Sequence, residues 1–199
     1  MYKKKNISPK SKSIVSRVLV CLFAVCTLAS CGKKQTYTIE GTLYGGKNFE
    51  DQIIYLVPFS GATSENIDSA VIHDSRFRFS GEAETDEVYI LRMRPMMRLF
   101  IDELIIIREP GRIKTRLSQV SSAKGTPQND SLQHWREFKM HIDSALTDVR
   151  KKMKRAQPEE YKDLRLQQDS IRAVFDRHNK QSITLNNNAF GDFLSKYAK

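Results

Sequence analysis

The chain has 199 residues, 40% of them apolar and 28% charged, with 33 lysines and arginines against 23 aspartates and glutamates. A chain of this length holds one domain or two small ones. Its formal charge of +10 invites a nucleic-acid reading. However, Lys3, Lys4, Lys5, Lys10, Lys12 and Arg17 all lie in the first 30 residues, and without these six the balance is 27 to 23. Nucleic acid therefore drops out as an expected partner.

Those 30 residues have the order of an export signal: a basic opening with no acid before Glu40, an apolar run over residues 18–29, then small residues at a cut site. The run is about a dozen residues, ~18 Å as helix, against a hydrocarbon core of ~30 Å. It is too short for a lasting transmembrane span, so residues 1–30 are expected to be removed. All three cysteines, Cys21, Cys26 and Cys31, fall in or beside this segment. The stretch Leu28-Ala29-Ser30-Cys31 resembles the lipobox of bacterial lipoproteins. That resemblance implies cleavage between Ser30 and Cys31 and a diacylglycerol thioether on Cys31. The remaining chain then has no free thiol, disulfide or cysteine metal site, and it must rely on its core.

From residue 37 to about 118 the apolar residues recur with period two. In "YTIEGTLYG", Tyr37, Ile39 and Leu43 share one face, with Thr38, Glu40 and Thr42 on the other. "QIIYLVPF" follows as a more continuous apolar strand. "SAVIHD" and "RFRFSG" read as a hairpin turning at Asp74-Ser75, with Phe77 and Phe79 inward and Arg76 and Arg78 outward. "EVYILRMR", "LFIDELIIIREPG" and "RIKTRLS" complete six or seven short strands, with Pro110-Gly111 placed for a type II turn. The spacing predicts an antiparallel sandwich or barrel.

After "SSAKGTPQND" the period becomes helical. Thr126 is placed to cap, Pro127 to occupy the first helical position and Asp130 to meet the helix dipole. Leu132, Trp135, Phe138, Ile142, Leu146, Val149 and Met153 form one stripe. Pro158 opens a second helix with Glu159 and Glu160 in its first turn; its stripe is Tyr161, Leu164, Ile171, Val174, Phe175 and His178. Phe190, Phe193, Leu194 and Tyr197 predict a short terminal helix. The expected class is α+β: a β-rich domain over residues 31–122, then a helical hairpin and terminal helix over 123–199.

Three strings, "NIDSAVIHDSRFRFSG", "IIIREPGRIKT" and "AKGTPQNDSLQHW", together resemble an uncharacterised β-rich domain found N-terminal to a thioredoxin-like, peroxiredoxin-type domain in exported lipoproteins of Gram-negative bacteria. Ser75 stands where that family usually has glycine, so the turn is expected to find positive φ at another residue or to use a type compatible with serine. The resemblance implies the fold and the compartment. The chain stops at Lys199, about where the thioredoxin-like domain would begin, and no Cys-x-x-C follows Cys31. Thiol–disulfide exchange needs an attacking thiolate, so no catalytic residue carries over.

Two runs are candidate contact sites. "RMRPMMRL" alternates Arg92, Arg94 and Arg98 with Met93, Met96 and Met97, and methionine surfaces bind adaptably; an envelope protein is the candidate partner. "RKKMKR", with Arg150, Lys151, Lys152, Lys154 and Arg155, suits a helix C-terminus or contact with an anionic membrane surface. His134, Glu137 and His141 fall at i, i+3 and i+7 without the adjacent-turn pair of helical zinc motifs, so no metal is expected. No cofactor is expected either. Gly32 and the non-acidic "GKKQTYT" lack what resembles inner-membrane retention and surface-export signals, which favours the outer membrane, facing the periplasm. The expected function is a non-catalytic, lipid-anchored binding or accessory module. The alternative is a truncated or split thiol–disulfide oxidoreductase without its catalytic domain.

Overall fold

Strand patterns separate into two kinds. β1 (Thr36–Leu43), β4 (Arg76–Glu82) and β7 (Gly111–Leu117) alternate buried and exposed residues. β2 (Ile53–Pro58), β5 (Glu87–Met93) and β6 (Leu104–Arg108) are apolar on both faces. An alternating strand has one wet face, whereas a continuous apolar run is covered on both. The computed structural model describes residues 35–44 and 49–198, with Met96 and Met97 described by their backbone alone. The segment 1–30 and the expected lipid site at Ser30-Cys31 lie outside these residues.

Among the described residues the chain forms two four-stranded sheets. The first has the order β4-β1-β7-β8, where β8 is Ser122–Lys124; the second has the order β3-β2-β5-β6, where β3 is Asp68–Val71. Their inner faces meet in a shared core that includes Ile39, Ile54, Phe77, Phe79, Leu91, Ile106, Ile113 and Leu117. The architecture is a sandwich rather than a barrel. The eighth strand, β8, falls in the stretch the sequence reads as connecting chain; at three residues it is too short to show a period.

Two strand relationships differ from expectation. The Asp74-Ser75 turn is present and closed by an isolated bridge between His73 and Arg76, but β3 and β4 belong to opposite sheets and do not pair as a hairpin. β1 and β7 run parallel, Tyr37 beside Gly111 and Leu43 beside Leu117, while every other strand pair is antiparallel. The chain leaves β6 in one sheet and enters β7 in the other through Gly111, at φ +120°. That positive φ is the one expected of the Pro-Gly bend, although the bend joins two sheets and not a hairpin.

Asp74 and Ser75 both have positive φ, 51° and 57°, as both central residues of a type I′ turn require. Glu50 pins the turn, its carboxylate accepting from the Asp74 N–H at 2.9 Å and lying 3.1 Å from His73 Nδ1. A serine held left-handed costs energy that glycine avoids, offset partly by glycine's greater freedom when unfolded. Ser75→Gly is therefore expected to stabilise the protein by about 0.5–1 kcal/mol. The readout is a higher urea midpoint at unchanged slope; an unchanged midpoint would mean the turn adopts another conformation.

Three helices follow: α1 (Pro127–Met153), α2 (Pro158–Leu185) and α3 (Ala189–Tyr197). Leu132 of α1 and Phe190, Phe193 and Leu194 of α3 pack on Ile107, with Val88, Ile105 and Phe59 around them. The helix layer therefore covers the outer face of the second sheet and explains why β5 and β6 do not alternate. α2 lies against α1, with Phe175 near Trp135 and Phe138 and with His178 over Phe138. Its burial is shallow: Leu164 is buried, but Tyr161 and Val174 of the expected stripe are exposed.

The start of α1 is built from two of the motifs. Thr126 occupies the N-cap but makes no side-chain cap bond. Instead the buried Glu109 carboxylate of the Glu-Pro-Gly bend accepts from the backbone N–H of Gln128 at 2.8 Å and of Asn129 at 3.0 Å. Asn129 in turn pairs with the outer edge of β6: its Oδ1 accepts from the Ile107 N–H at 3.0 Å and its Nδ2 donates to the Ile107 carbonyl at 2.6 Å. Arg136 donates to the Ile105 carbonyl at 2.8 Å, and Gln133 accepts from the Ala123 N–H of β8 at 3.2 Å. Side chains of one helix thus satisfy the exposed edges of both sheets, a standard remedy for open edge strands. Burial pulls the Arg136 guanidinium down to about 10, still charged at neutral pH.

Candidate anion-binding face

Among the described residues, no helix lies over the outer face of the first sheet. Period two sends Arg76 and Arg78 of β4, Glu40 and Thr42 of β1, and Arg112, Lys114 and Arg116 of β7 to that face. Register makes them neighbours. Arg78, Glu40, Lys114 and Lys124 form one row across the four strands, and Arg76, Thr42, Arg116 and Ser122 form the next. Six cations, Arg76, Arg78, Arg112, Lys114, Arg116 and Lys124, are all exposed there, with Glu40 and Glu82 as the acids on the same side. A groove of about 1220 Å³ crosses both rows, and its lining continues onto Ser69 and His73 beyond the β4 edge.

The charges are held in defined places. Arg112 directs Nε and Nη2 onto one oxygen of Glu40, at 2.8 and 2.6 Å. Lys114 and Lys124 are cross-strand partners, and facing like charges cost energy. Lys124 is drawn partly aside by Glu137 of α1, at 3.4 Å. The Arg116 guanidinium stacks 4.4 Å over the Tyr44 ring at the end of β1. A flat lattice of guanidinium and ammonium groups at strand spacing matches multiple phosphate, sulfate or carboxylate groups, because arginine presents a fork to such oxygens.

Glu40 reports on this field. Its carboxyl is held below the ordinary value of 4.5, chiefly by the hydrogen bond from Arg112, with the charges of Arg112, Arg78 and Lys114 adding to it. A depressed carboxyl contributes stability that is present above its ordinary value and lost as the pH falls through its folded one. Arg112→Gln is expected to move the Glu40 titration back up toward 4.5. The carboxyl carbon shift in an NMR pH series measures this, and an unmoved midpoint would show that the Arg112 fork is not formed in solution.

The residues singled out from sequence are placed differently. Met93 is 2% exposed and belongs to the sandwich core, so it cannot be part of a surface patch. It ends β5 with its side chain on the inner face, a direction that strand period fixes and the alternating run concealed. Arg92 and Arg98 converge on Glu103, at 3.3 and 3.1 Å, and Arg98 also donates to the Met93 carbonyl. They brace the short 3-10 turn Pro95–Leu99. Arg94 is exposed, and the side chains of Met96 and Met97 lie outside the described residues.

Arg150, Lys151 and Lys152 occupy the last turn of α1, with Lys154 as its C-cap. Lys151, Lys152, Lys154 and Arg155 surround a recess at the tip of the helical hairpin that Glu160 also lines. Sequence reasoning weighted this run because its charges are contiguous. The face of the first sheet draws on residues 76 to 124, and its only local trace is the outward arginines of "RFRFSG" and the basic positions of "RIKTRLS".

Two other clusters have evident structural roles. Arg108 lies 4.5 Å over Tyr89 and 5.6 Å over Tyr37 and donates to Glu87 at 2.8 Å. It closes one end of the sandwich, where burial raises both phenols. Glu50, Asp51 and His73 bring potential metal-ligating atoms together at the exposed turn, but the Glu50 contacts already hold that turn.

Residues 37–132 match a protein-family model described as a domain of unknown function (DUF4369). The match spans all eight strands and ends at the first turns of α1, so it includes both Glu109 and Asn129. No curated protein and no solved structure matches the chain.

Proposed function

We propose that this protein is a non-catalytic, lipid-anchored binding or accessory module of the cell envelope, held on the outer membrane facing the periplasm, and that it takes anionic ligands on the outer face of its first sheet. The lipid on Cys31 is carried by the Leu-Ala-Ser-Cys sequence at the end of an export signal. One observation supports the binding face above the others: six cations from three strands collect on the sheet face that no helix among the described residues covers. Their charge supplies affinity, and the rigid sheet supplies spacing. Such binding is salt-dependent, because exposed charges are screened within about 10 Å at moderate ionic strength.

The test is a titration of residues 35–199, which form their own compact unit, with inorganic polyphosphate at several salt concentrations. Binding should weaken steeply with salt. Arg76→Gln, Arg78→Gln, Lys114→Gln and Arg116→Gln combined should weaken it by about a hundred-fold at low salt, each exposed charge contributing roughly 0.5–1 kcal/mol. Binding by this variant equal to the parent would remove the face from the proposal.

A further inference from the structure

We infer that the ligand of the cationic face is the anionic phosphate layer of the membrane itself, so that the first sheet lies flat on the bilayer and the helix layer points away from it. This rests on the reading that the face takes anions and that Cys31 carries lipid. Three observations carry it beyond that reading.

The first is the length of the tether. β1 begins at Thr36, five residues after Cys31, and an extended chain spans at most about 3.4 Å per residue. The start of β1 therefore stays within ~17 Å of the anchored cysteine, which keeps the domain beside the membrane surface.

The second is which strand the tether enters. β1 is an inner strand of the cationic sheet, flanked by β4 and β7, so the chain from Cys31 enters the cationic sheet and not the helix-covered one. The opposite side of the sandwich carries α1 and α3 on Ile107 and Leu132. Among the described residues, the outer face of the first sheet is the one with no helix packed on it.

The third is the aromatic at its margin. Tyr44 is 50% exposed and its ring lies under the Arg116 guanidinium. A tyrosine beside a basic group is the combination found at headgroup depth, where an amphipathic ring and a cation each meet a suitable partner. An acidic soluble protein would account for the charge, but not for the short tether feeding this sheet.

The experiment uses residues 35–199 without lipid, so that docking is read independently of anchoring. Sedimentation compares vesicles of phosphatidylcholine alone with vesicles containing about one third phosphatidylglycerol, at low salt. The parent should bind the anionic vesicles and not the neutral ones. The combined Arg76→Gln, Arg78→Gln, Lys114→Gln, Arg116→Gln variant should lose about a hundred-fold in binding or more, because each basic residue at an anionic surface contributes several-fold. Lys151→Gln, Lys152→Gln, Lys154→Gln and Arg155→Gln combined should stay close to the parent.

Should the four-fold variant fail to fold, Thr42→Glu introduces an acid between Arg76 and Arg116 and should weaken vesicle binding on its own. Loss confined to the hairpin-tip variant would overturn the inference by placing the contact at residues 151–155. Binding to polyphosphate without binding to anionic vesicles would overturn membrane docking and leave the anion-binding face standing. Binding to neither would overturn both.

Discussion

Asn129→Asp is expected to destabilise the protein by about 3–5 kcal/mol, a large part of a typical domain's stability. Asn129 has no exposed surface. Its amide is the one side chain of its shape that both accepts from the Ile107 N–H and donates to the Ile107 carbonyl. The same Nδ2 lies 2.9 Å from Thr126 Oγ1 and 3.2 Å from Glu109 Oε1. A carboxylate in its place turns the bonds donated to the Ile107 carbonyl and Glu109 into repulsive oxygen–oxygen contacts, with only the Thr126 hydroxyl able to turn and donate to it, and buries a negative charge beside Glu109.

Asn129→Ala removes the bonds without adding the charge, and should cost less, about 2–3 kcal/mol, for leaving buried edge groups unpaired. Acidification separates the two. The introduced carboxyl, once protonated, carries an O–H donor, so burial and Glu109 raise its pKa in the folded state. Its penalty is then full above that raised value and shrinks as the pH falls through it. Urea midpoints at neutral and acid pH measure both variants. If Asn129→Asp stays within about 1 kcal/mol of the parent at neutral pH, the pairing of α1 with the β6 edge is not what fastens the helices to the sandwich.

Gly191→Ala is the second large effect and should act locally. A Cβ built on Gly191 would lie 1.7 Å from the backbone oxygen of Asn186 and 2.9 Å from its carbonyl carbon. The obstacle is main chain, so no rotamer relieves it. Asn186 N–H bonds back to the Ile183 carbonyl and Asn188 caps the Gly191 N–H at 3.2 Å. The α2–α3 connection therefore cannot open without losing a cap at one helix or the other.

The expected response is that α3 leaves its seat, giving up Phe190, Phe193 and Leu194, the bond from the Phe190 N–H to Gln128 Oε1 at 3.1 Å and the tie from Asn179 to the Ala198 carbonyl. Overpacking against a backbone atom falls at the upper end of its usual range, about 3 kcal/mol. Hydrogen exchange should show α3 amides losing protection while β1, β4 and β7 keep theirs, since local opening need not involve the whole domain. Unchanged protection in α3 would mean that this close approach is relaxed in solution.

These two positions show why part of the molecule could be read along the chain and part could not. The strands and the entry to α1 were legible because side-chain period and turn chemistry are local: Ile39 with Leu43, Phe77 with Phe79, Pro127 after Thr126. Thr126 takes the N-cap position as expected, but the carboxylate that accepts from the first helical N–H groups, Glu109, comes from 17 residues earlier, and such a buried cap leaves no mark in the helix's own sequence. Met93 was misread for a related reason. Its neighbours are arginines, and only the continuation of β5's alternation sends it inward. The bias toward "RKKMKR" came from contiguity, which says where charge is dense along the chain and nothing about which charges meet in space.

By itself the sequence determined the two faces of the alternating strands β1, β4 and β7, the change from sheet to helix near residue 126 and the continuous apolar character of the strands that helices cover, because each follows from the spacing of neighbouring residues. It also supplies the basic-then-apolar opening and the Leu28-Ala29-Ser30-Cys31 stretch on which the proposed lipid anchor rests. Only the tertiary structure decided that β4, β1, β7 and β8 share a sheet, that β1 and β7 run parallel, and that the outward basic residues of three separate strands become one face. Pairing is set by which edges and apolar faces can be satisfied together across the whole chain. Arg78 and Lys114 meet on either side of Glu40 because Phe79 and Ile113 must meet the same core on either side of Ile39.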